Sequence, residues 1–357
     1  MGYLPDRKTR RHLNGRPCSH GYIGGINGSL PRRQTRGGGM QQIRTILHPT
    51  DFSPGAEAAY TQAVALARRY GAEVHLLHAV ASFGCSHVCT SDEVAREPDL
   101  YYRQLWTAAD REMQAMIARH EATDVPHRRL HARGLLPAPV ILEYAQQAGV
   151  DLIVIAPFGS HYQPHMLGSV AAEVLRGAPC PVLISQHAAI EAPPAPMQIL
   201  LPVDLSQPTE ALVHTTAALA HRFHAEVDLL YVMDPEWHVG GHEVIPPEAP
   251  PGCATADARI RFHVVQGQPS REILSFARSH HTDLIVLASP ALSRTKYFPA
   301  GSLTEHIASA APCPVLVLRM PTHAAVRRPE KAAAPSRRPI LPPGVPSRPD
   351  PAPLQPA

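Results

Sequence analysis

The sequence lacks the long apolar segments and the residue spacings that mark several large protein classes. No apolar run approaches the roughly 18 residues that a membrane-spanning helix needs. The basic residues Arg7 to Arg11 are not followed by the apolar segment of a signal peptide. No serine lies in the Gly-x-Ser-x-Gly turn of a nucleophile elbow. We therefore expect a cytoplasmic protein with no membrane span and no catalytic triad.

Cysteine is scarce, and so is positive charge in the middle of the chain. The six cysteines among 357 residues are expected to be reduced thiols in the cytoplasm. Residues 40–320 carry a net charge of −8, whereas residues 1–39 carry +7 and residues 321–357 carry +4. The overall charge of +3 therefore comes from the two ends, and no nucleic acid is expected to bind the core.

The two ends also differ from the middle in composition. Residues 1–39 are rich in Gly and Arg and show no helical or strand periodicity, so we predict a disordered extension. Met40 comes directly before a strand pattern and is an alternative start of the protein. Residues 321–357 contain 11 prolines in 37 positions, which predicts a disordered or polyproline-like tail.

One unit of the middle part occurs twice, at Asp151–Ser185 and at Asp283–Arg319. Each copy has an apolar run, a loop, a Gly-Ser pair, a helical stretch and the sequence APCPVL. The apolar run predicts a buried strand, and a loop that leads into a helix N-terminus can hold an anion. Upstream segments match as well, so we predict two domains, repeat one at 40–186 and repeat two at 198–320, joined by an Ala/Pro linker at 187–197.

Strand and helix patterns alternate along each repeat, which predicts a parallel sheet with helices on both faces. In repeat one, Ile43–His48 is the predicted first strand, with Ser53 as the cap of the following helix and Gly71 as its stop. Leu100–Glu121 is a predicted long helix. Repeat two is 21 residues shorter at this place and has the sequence EWHVGGHEVIPPEAPPGC, whose Pro and Gly content predicts an irregular loop.

The order strand, PTDFS, helix, DLIV, glycine loop, GSVAAEVL and APCPVL is similar to that of the universal stress protein family. The resemblance covers residues 43–185 and 198–319. It implies an α/β protein of two consecutive adenine-nucleotide α-hydrolase-like (Rossmann-like) domains, each a five-stranded parallel sheet with helices on both faces. It also implies a stress-response role and binding of ATP, with Mg²⁺, at the carboxyl ends of strands one and four, where open α/β sheets bind ligands.

The resemblance places the candidate nucleotide-binding residues after strand one and around the loop after strand four. Members that bind ATP have the loop Gly-x-x-Gly, nine residues, Gly-Ser/Thr. Repeat one has Ala at the first glycine and a spacer of eight residues, and repeat two has Ala at both leading glycines. The candidate residues are Thr50, Asp51, Ala156, Gly159, Gly168 and Ser169 in repeat one, with Val203, Asp204, Ala288, Ala291, Gly301 and Ser302 in repeat two.

These departures put nucleotide binding in competition with a purely structural interpretation. Alanine in place of glycine opposes a close approach of the backbone to phosphate, and Pro157 and Pro290 each remove one N–H donor. The spacing favours repeat two, whereas Gly159 favours repeat one. In the structural interpretation, Asp51 and Asp204 cap the first helix of each repeat, and each Gly-Ser pair caps the fourth.

Two other functions remain open beside nucleotide sensing. The chain could serve as a nucleotide-independent scaffold whose loops and tails recruit partners, or as a thiol or metal sensor built on the loops after each second strand. Those loops contain Cys85, His87 and Cys89 in repeat one and Trp237, His238 and His242 in repeat two. Their spacing fits no common zinc pattern, so no metal site is predicted. An enzyme is not predicted beyond weak ATP hydrolysis, which would need a positioned Mg²⁺.

The last strand of each repeat, Val182–Ser185 and Val315–Leu318, is apolar and needs to be covered. Universal stress proteins dimerise through this strand. We therefore predict that the two repeats pair through these strands within one chain, which would be a monomer that imitates a dimer, or a homodimer of such chains. Cys180 and Cys313, just before these strands, are predicted to be unreactive apolar side chains.

Overall fold

The computed structural model describes residues 42–81, 98–159, 166–186, 197–204, 209–233, 259–290 and 302–320. The predicted disordered ends, the linker up to residue 196, and the loops after each second strand with their cysteines and histidines lie outside the described residues. Within the described part of the chain, no helix is both long and apolar enough to span a membrane.

Repeat one contains five strands and four helices among its described residues. They are β1 Thr45–Pro49, α1 Pro54–Tyr70, β2 Glu73–Ala81, α2 Pro98–Arg119, β3 His127–Gly134, α3 Pro137–Ala148, β4 Leu152–Ile155, α4 Ser169–Gly177 and β5 Val182–Ile184.

The predicted signals at the ends of α1 are confirmed. The Ser53 side chain accepts a hydrogen bond from the Ala56 N–H at 3.2 Å, and Pro54 is the first helical residue. Gly71 ends the helix in the left-handed conformation, with φ at 64°. The predicted long helix is α2, within two residues at each end. Helix α3 starts at Pro137, because a proline in the first turn needs no N–H partner.

Repeat two contains five strands and three helices among its described residues. They are β6 Gln198–Val203, α5 Glu210–Phe223, β7 Glu226–Met233, β8 Ile260–Gln266, α6 Pro269–Ser279, β9 Leu284–Pro290, α7 Ser302–Ala310 and β10 Val315–Met320. The irregular loop predicted between β7 and β8 falls outside the described residues.

All ten strands form one sheet in the order β3-β2-β1-β4-β5-β10-β9-β6-β7-β8. The five strands of each repeat pair parallel to one another, as the predicted fold class requires. The repeats meet where β5 pairs with β10 in the antiparallel direction, with Val182 opposite Val317 and Ile184 opposite Val315. Because each strand here is both the last of its repeat and covered by the other, neither is an open edge.

An apolar layer lies on each face of this sheet and runs through both repeats. On one face, helices α1, α2 and α5 bury residues such as Tyr60 and Met113 against the strands. On the other face, α3, α4, α6 and α7 bury residues such as Tyr144 and Ile307. The helix layers that the alternating pattern predicted are therefore present on both sides, and the core does not stop at the boundary between the repeats.

The C-terminal ends of α1 and α5 also contact each other across this boundary. The Arg69 guanidinium lies 4.9 Å from the ring centre of Phe223, and the Arg222 guanidinium lies 4.3 Å from that of Tyr70. Each arginine also donates a hydrogen bond to the backbone carbonyl of the other. The contact is reciprocal, as expected for two copies of one unit related by an approximate twofold axis.

Candidate functional site

In repeat one, β1 lies in the middle of its five strands, and the order of the strands in the sheet reverses there. From β1 the chain crosses to β2 on one side and later returns to β4 on the other, so the loops after β1 and β4 diverge at the carboxyl edge of the sheet. Ligands of open α/β sheets bind at such a switch point. In repeat two, β6 lies between β7 and β9 in the same way.

The segment after β1 forms a tight turn that is held by its own side chains. The Thr50 hydroxyl accepts a hydrogen bond from the Phe52 N–H at 3.1 Å, and the Asp51 Oδ1 accepts one from the Ser53 N–H at 3.1 Å. Phe52 has a φ of 61°, which is uncommon for a bulky residue. The predicted cap role of Asp51 is wrong, because Ser53 caps α1 and Asp51 stabilises the turn before it.

Asp51 and Gly159 lie against each other, although they follow different strands. A Cβ built at Gly159 would collide with the Asp51 Oδ2. Both residues are exposed to solvent. Gly159 therefore leaves room for the Asp51 carboxylate, and a larger residue at this position would push the end of the Asp51 side chain aside.

Pro157, which follows β4, and Gly168, which precedes α4, lie against each other. The Gly168 N–H donates to the Pro157 carbonyl at 2.8 Å, and a Cβ at Gly168 would lie 3.2 Å from that carbonyl and from the Phe158 Cα. Helix α4 begins at the next residue, Ser169, and its N-cap residue, Gly168, has no side chain that could accept from the first amides. The first amide groups of this helix therefore keep hydrogen-bonding capacity for a ligand. The predicted position of the Gly-Ser pair at the start of α4 is confirmed, since Gly168 is the N-cap residue, but the cap involves no side-chain hydrogen bond.

The floor beneath the turn contains a fully buried imidazole, His48 in β1. Its Nδ1 lies 3.0 Å from the Val154 carbonyl and so ties β1 to β4 just below the switch point. Burial lowers the pKa of His48 to about 4, against smaller opposing effects of the Val154 carbonyl and the Asp51 charge. His48 is therefore neutral at pH 7 and offers no positive charge to a phosphate.

Sequence reasoning missed His78, which contacts the turn from the neighbouring strand β2. Its Nδ1 lies 2.8 Å from the Thr50 carbonyl oxygen, and its ring packs against Phe52 with 4.7 Å between ring centres. The signal that could have identified it is topological: β2 is the neighbour of β1, so its final residues must lie beside the turn.

Repeat two has a different backbone at the equivalent positions. Val203 is the buried last residue of β6, and the exposed Asp204 follows it. Ala288 remains within β9, where it pairs with Leu318 of β10, and the pairing continues through Pro290. In repeat one, β4 ends before Ala156 instead.

Two further candidates of repeat two, Ala291 and Gly301, lie outside the described residues, and Ser302 is the first residue of α7. Of the six residues predicted for this repeat, the structure thus places three on sheet strands or directly after one. The position of Ala291, the counterpart of Gly159, relative to Asp204 lies outside the described residues.

The two cysteines in the described part of the chain are buried. Cys180 and Cys313 are free thiols, and burial raises the pKa of each to about 12. Their predicted lack of reactivity is consistent with this environment. Among the described residues, no group of three or more His, Cys, Asp or Glu side chains could hold a metal ion.

Comparison with known proteins identifies a family for both repeats. The sequence profile described as "Universal stress protein family" matches residues 42–186 and 197–319. "Universal stress protein G" of Escherichia coli O157:H7 is 28% identical over 143 residues, which is 40% of this chain and 97% of that protein. "Universal stress protein A homolog 1" of Coxiella burnetii is 26% identical over 138 residues, 39% of this chain and 92% of that protein.

A solved structure resembles both repeats together. It is that of a universal stress protein from Archaeoglobus fulgidus, with a TM-score of 0.58 and 17% identity, and the match covers 78% of this chain and 97% of the other. At this identity the likeness concerns the fold.

Proposed function

Because the chain belongs to the universal stress protein family, which supports a role in stress response, we propose that it acts by binding an adenine nucleotide in repeat one. The observation that carries the proposal is the approach of Asp51 to Gly159 at the switch point, next to the start of α4 at Ser169. Asp51 would hold the nucleoside and the first amides of α4 a phosphate. Thr50, Ala156 and Gly168 shape the surrounding loops.

Repeat two is proposed to be the nucleotide-free partner of repeat one. Residues 288–290 lie in β9 beside β10 rather than in a loop, and Pro290 has no N–H to donate to a phosphate. Val203 stands where repeat one has Thr50 and provides no hydroxyl for a turn. Repeat two would then contribute β10, which pairs with β5 and covers it. In a dimer of single-repeat chains, the second subunit would contribute this strand.

Mg²⁺ would accompany the nucleotide rather than occupy a preformed protein site. Mg²⁺ commonly binds through one or two carboxylates together with the substrate phosphates. Asp51 is the carboxylate that fits this role, and the Ser169 hydroxyl at the start of α4 is a second candidate oxygen. The cytoplasm is the proposed place of action, since Cys180 and Cys313 are free thiols.

A nucleotide-independent scaffold is the second candidate function, and one observation favours it. Pro157 lacks an N–H, and its carbonyl is already bonded to the Gly168 N–H, so this part of the loop presents few donors to a phosphate. Ala156, in place of the first family glycine, is buried. The thiol or metal sensor depends on residues outside the described part of the chain and has no such support.

Calorimetric titration with ATP and Mg²⁺ separates the two functions. We expect one nucleotide per chain, a loss of affinity in Asp51→Asn, and unchanged affinity in the matched control Asp204→Asn. Absence of both heat and a thermal shift at millimolar ATP would support the scaffold instead. Two nucleotides per chain would contradict the assignment of repeat two as nucleotide-free.

A further inference from the structure

We infer that His78 is a positioning residue for the candidate site of repeat one: it holds the Thr50–Phe52 turn and thereby places Asp51. The inference rests on the proposed nucleotide binding. His78 acts through the backbone of its neighbours, and Asp51 remains the residue that would contact the nucleotide.

Strand β2 anchors both peptide groups of Thr50. The Thr50 N–H donates to the Leu77 carbonyl at 2.9 Å, and the Thr50 carbonyl lies 2.8 Å from the His78 Nδ1. A carbonyl oxygen only accepts, so His78 carries a proton on Nδ1 and donates it. Thr50 comes directly after the last residue of β1, at the point where the sheet ladder ends. Through these two bonds β2 also holds Thr50, the first residue of the turn after β1.

His78 also supports the strained end of the turn. Phe52 has a left-handed backbone, which costs energy for a residue with a large side chain. Its ring packs on the His78 imidazole, and its N–H is bonded to the Thr50 hydroxyl. Asp51 therefore lies between two residues that His78 contacts, one through its Nδ1 and one through its ring face.

Repeat two has different side chains at the positions of Thr50 and His78. At the constant spacing of 153 residues, Tyr231 corresponds to His78 and Val203 to Thr50. Tyr231 packs against the apolar core of its face, and valine has no hydroxyl that could accept from the amide two residues later. The contacts of His78 with Thr50 and Phe52 thus belong to the repeat in which Asp51 lies against Gly159.

Two matched variants test the position of the donor. Asparagine places its amide nitrogen near the location of Nδ1, whereas glutamine places it near that of Nε2. We expect His78→Gln to weaken ATP binding about fivefold, the effect of losing one net hydrogen bond, and His78→Asn to stay within about twofold of wild type. Tyr231→Phe serves as the control in repeat two and should leave the affinity unchanged.

A second readout needs no nucleotide. Amide hydrogen exchange at Phe52 and Ser53 should be faster in His78→Gln than in wild type or His78→Asn, whereas exchange in the centres of β1 and α1 should be unchanged. A merely structural role would instead raise exchange throughout the repeat or lower the thermal stability of both variants alike.

The outcomes distinguish the inference from the function on which it rests. If wild type binds ATP and both variants bind it equally well, the inference is wrong and the proposed function survives. If wild type does not bind ATP, the proposed function fails, and the exchange rates decide the positioning role alone. If the amides of Phe52 and Ser53 exchange at the same rate in His78→Gln and in wild type, the positioning role is wrong. Should His78→Gln fail to fold, His78→Leu provides the donor-free comparison.

Discussion

Gln186 of repeat one and Arg319 of repeat two each donate a side-chain hydrogen bond to a helix carbonyl of the other repeat. The Gln186 side chain donates to the Ala308 carbonyl in α7 at 2.7 Å, and the Arg319 guanidinium donates to the Leu175 carbonyl in α4 at 2.7 Å. Gln186 and Arg319 are 133 residues apart in sequence, and so are Leu175 and Ala308. The two hydrogen-bonded pairs are therefore equivalent in the two repeats. Each repeat thus holds the last turn of the other repeat's final helix, whose carbonyls have no partner within the helix.

Removing the Arg319 contact is expected to destabilise the protein. Arg319→Ala leaves the Leu175 carbonyl without this donor, which should lower the free energy of unfolding by about 1.5–3 kcal/mol, the range for hydrogen bonds to charged groups. Urea denaturation measures the change. Arg278→Ala, which removes an exposed arginine from a longer 3.3 Å contact with the Ala310 carbonyl, is the control and should cost less. Equal effects of the two variants would contradict the importance of the cross-repeat contact.

The approach of Asp51 to Gly159 predicts a coupled mutational effect. Gly159→Ala should displace the Asp51 carboxylate and weaken ATP binding at least tenfold, an order-of-magnitude expectation for about 1.4 kcal/mol. In the Asp51→Ala background the same substitution should cost much less, because the side chain with which the new Cβ collides is gone. Titration calorimetry on the four proteins of this cycle gives the coupling. Additive effects would mean that the two residues act separately.

His48 predicts a loss of stability in acid. Its pKa is lowered by burial from 6.5 in the unfolded chain to about 4, so its contribution is fully present above pH 6.5 and is lost as the pH falls to 4. The shift corresponds to at most about 3 kcal/mol. Urea denaturation between pH 7 and pH 4 should show a shallower decline for His48→Asn, whose amide can still donate to the Val154 carbonyl. His75, His127 and His131, whose pKa values burial also lowers, should preserve part of the decline.

The buried thiols should resist alkylation in the folded protein. With their pKa raised to about 12, Cys180 and Cys313 form almost no thiolate at pH 8, and their burial also excludes the reagent. Peptide mass spectrometry after iodoacetamide treatment should find both unmodified, and the same treatment in guanidinium chloride should modify both. Rapid labelling without denaturant would show that the ends of β5 and β10 open readily.

The pairing of β5 with β10 predicts a monomer in solution. Both strands are already covered within one chain, so the sheet ends in β3 and β8. Light scattering coupled to size-exclusion chromatography should give the mass of one chain at micromolar concentration. A stable dimer would indicate association through β3, β8 or the helix layers. Leu316→Lys, which buries a charge beside β5, should lower stability rather than change the oligomeric state of the folded fraction.

Local signals predicted the elements around the site but not the contacts between them. Ser53 and Gly71 mark the ends of α1 because caps depend on a few consecutive residues. His78 and the Asp51–Gly159 approach could not be predicted in this way, because each joins residues from different strands. The local pattern at Asp51 is compatible with a nucleotide-binding residue and with a helix cap, and the observed bond to the Ser53 N–H contradicts only the cap.

The amino-acid sequence by itself determined the repeat, the family and the order of strands and helices, since periodicity, caps and motif spacing are properties of contiguous residues. Only the tertiary structure decided how the two degenerate loops differ. Residues 288–290 extend β9 because β10 continues beside them, whereas β4 ends at Ile155 beside a β5 that ends at Ile184. The length of each strand is set by its neighbour's hydrogen-bonding groups, and that neighbour lies about 30 residues away in sequence.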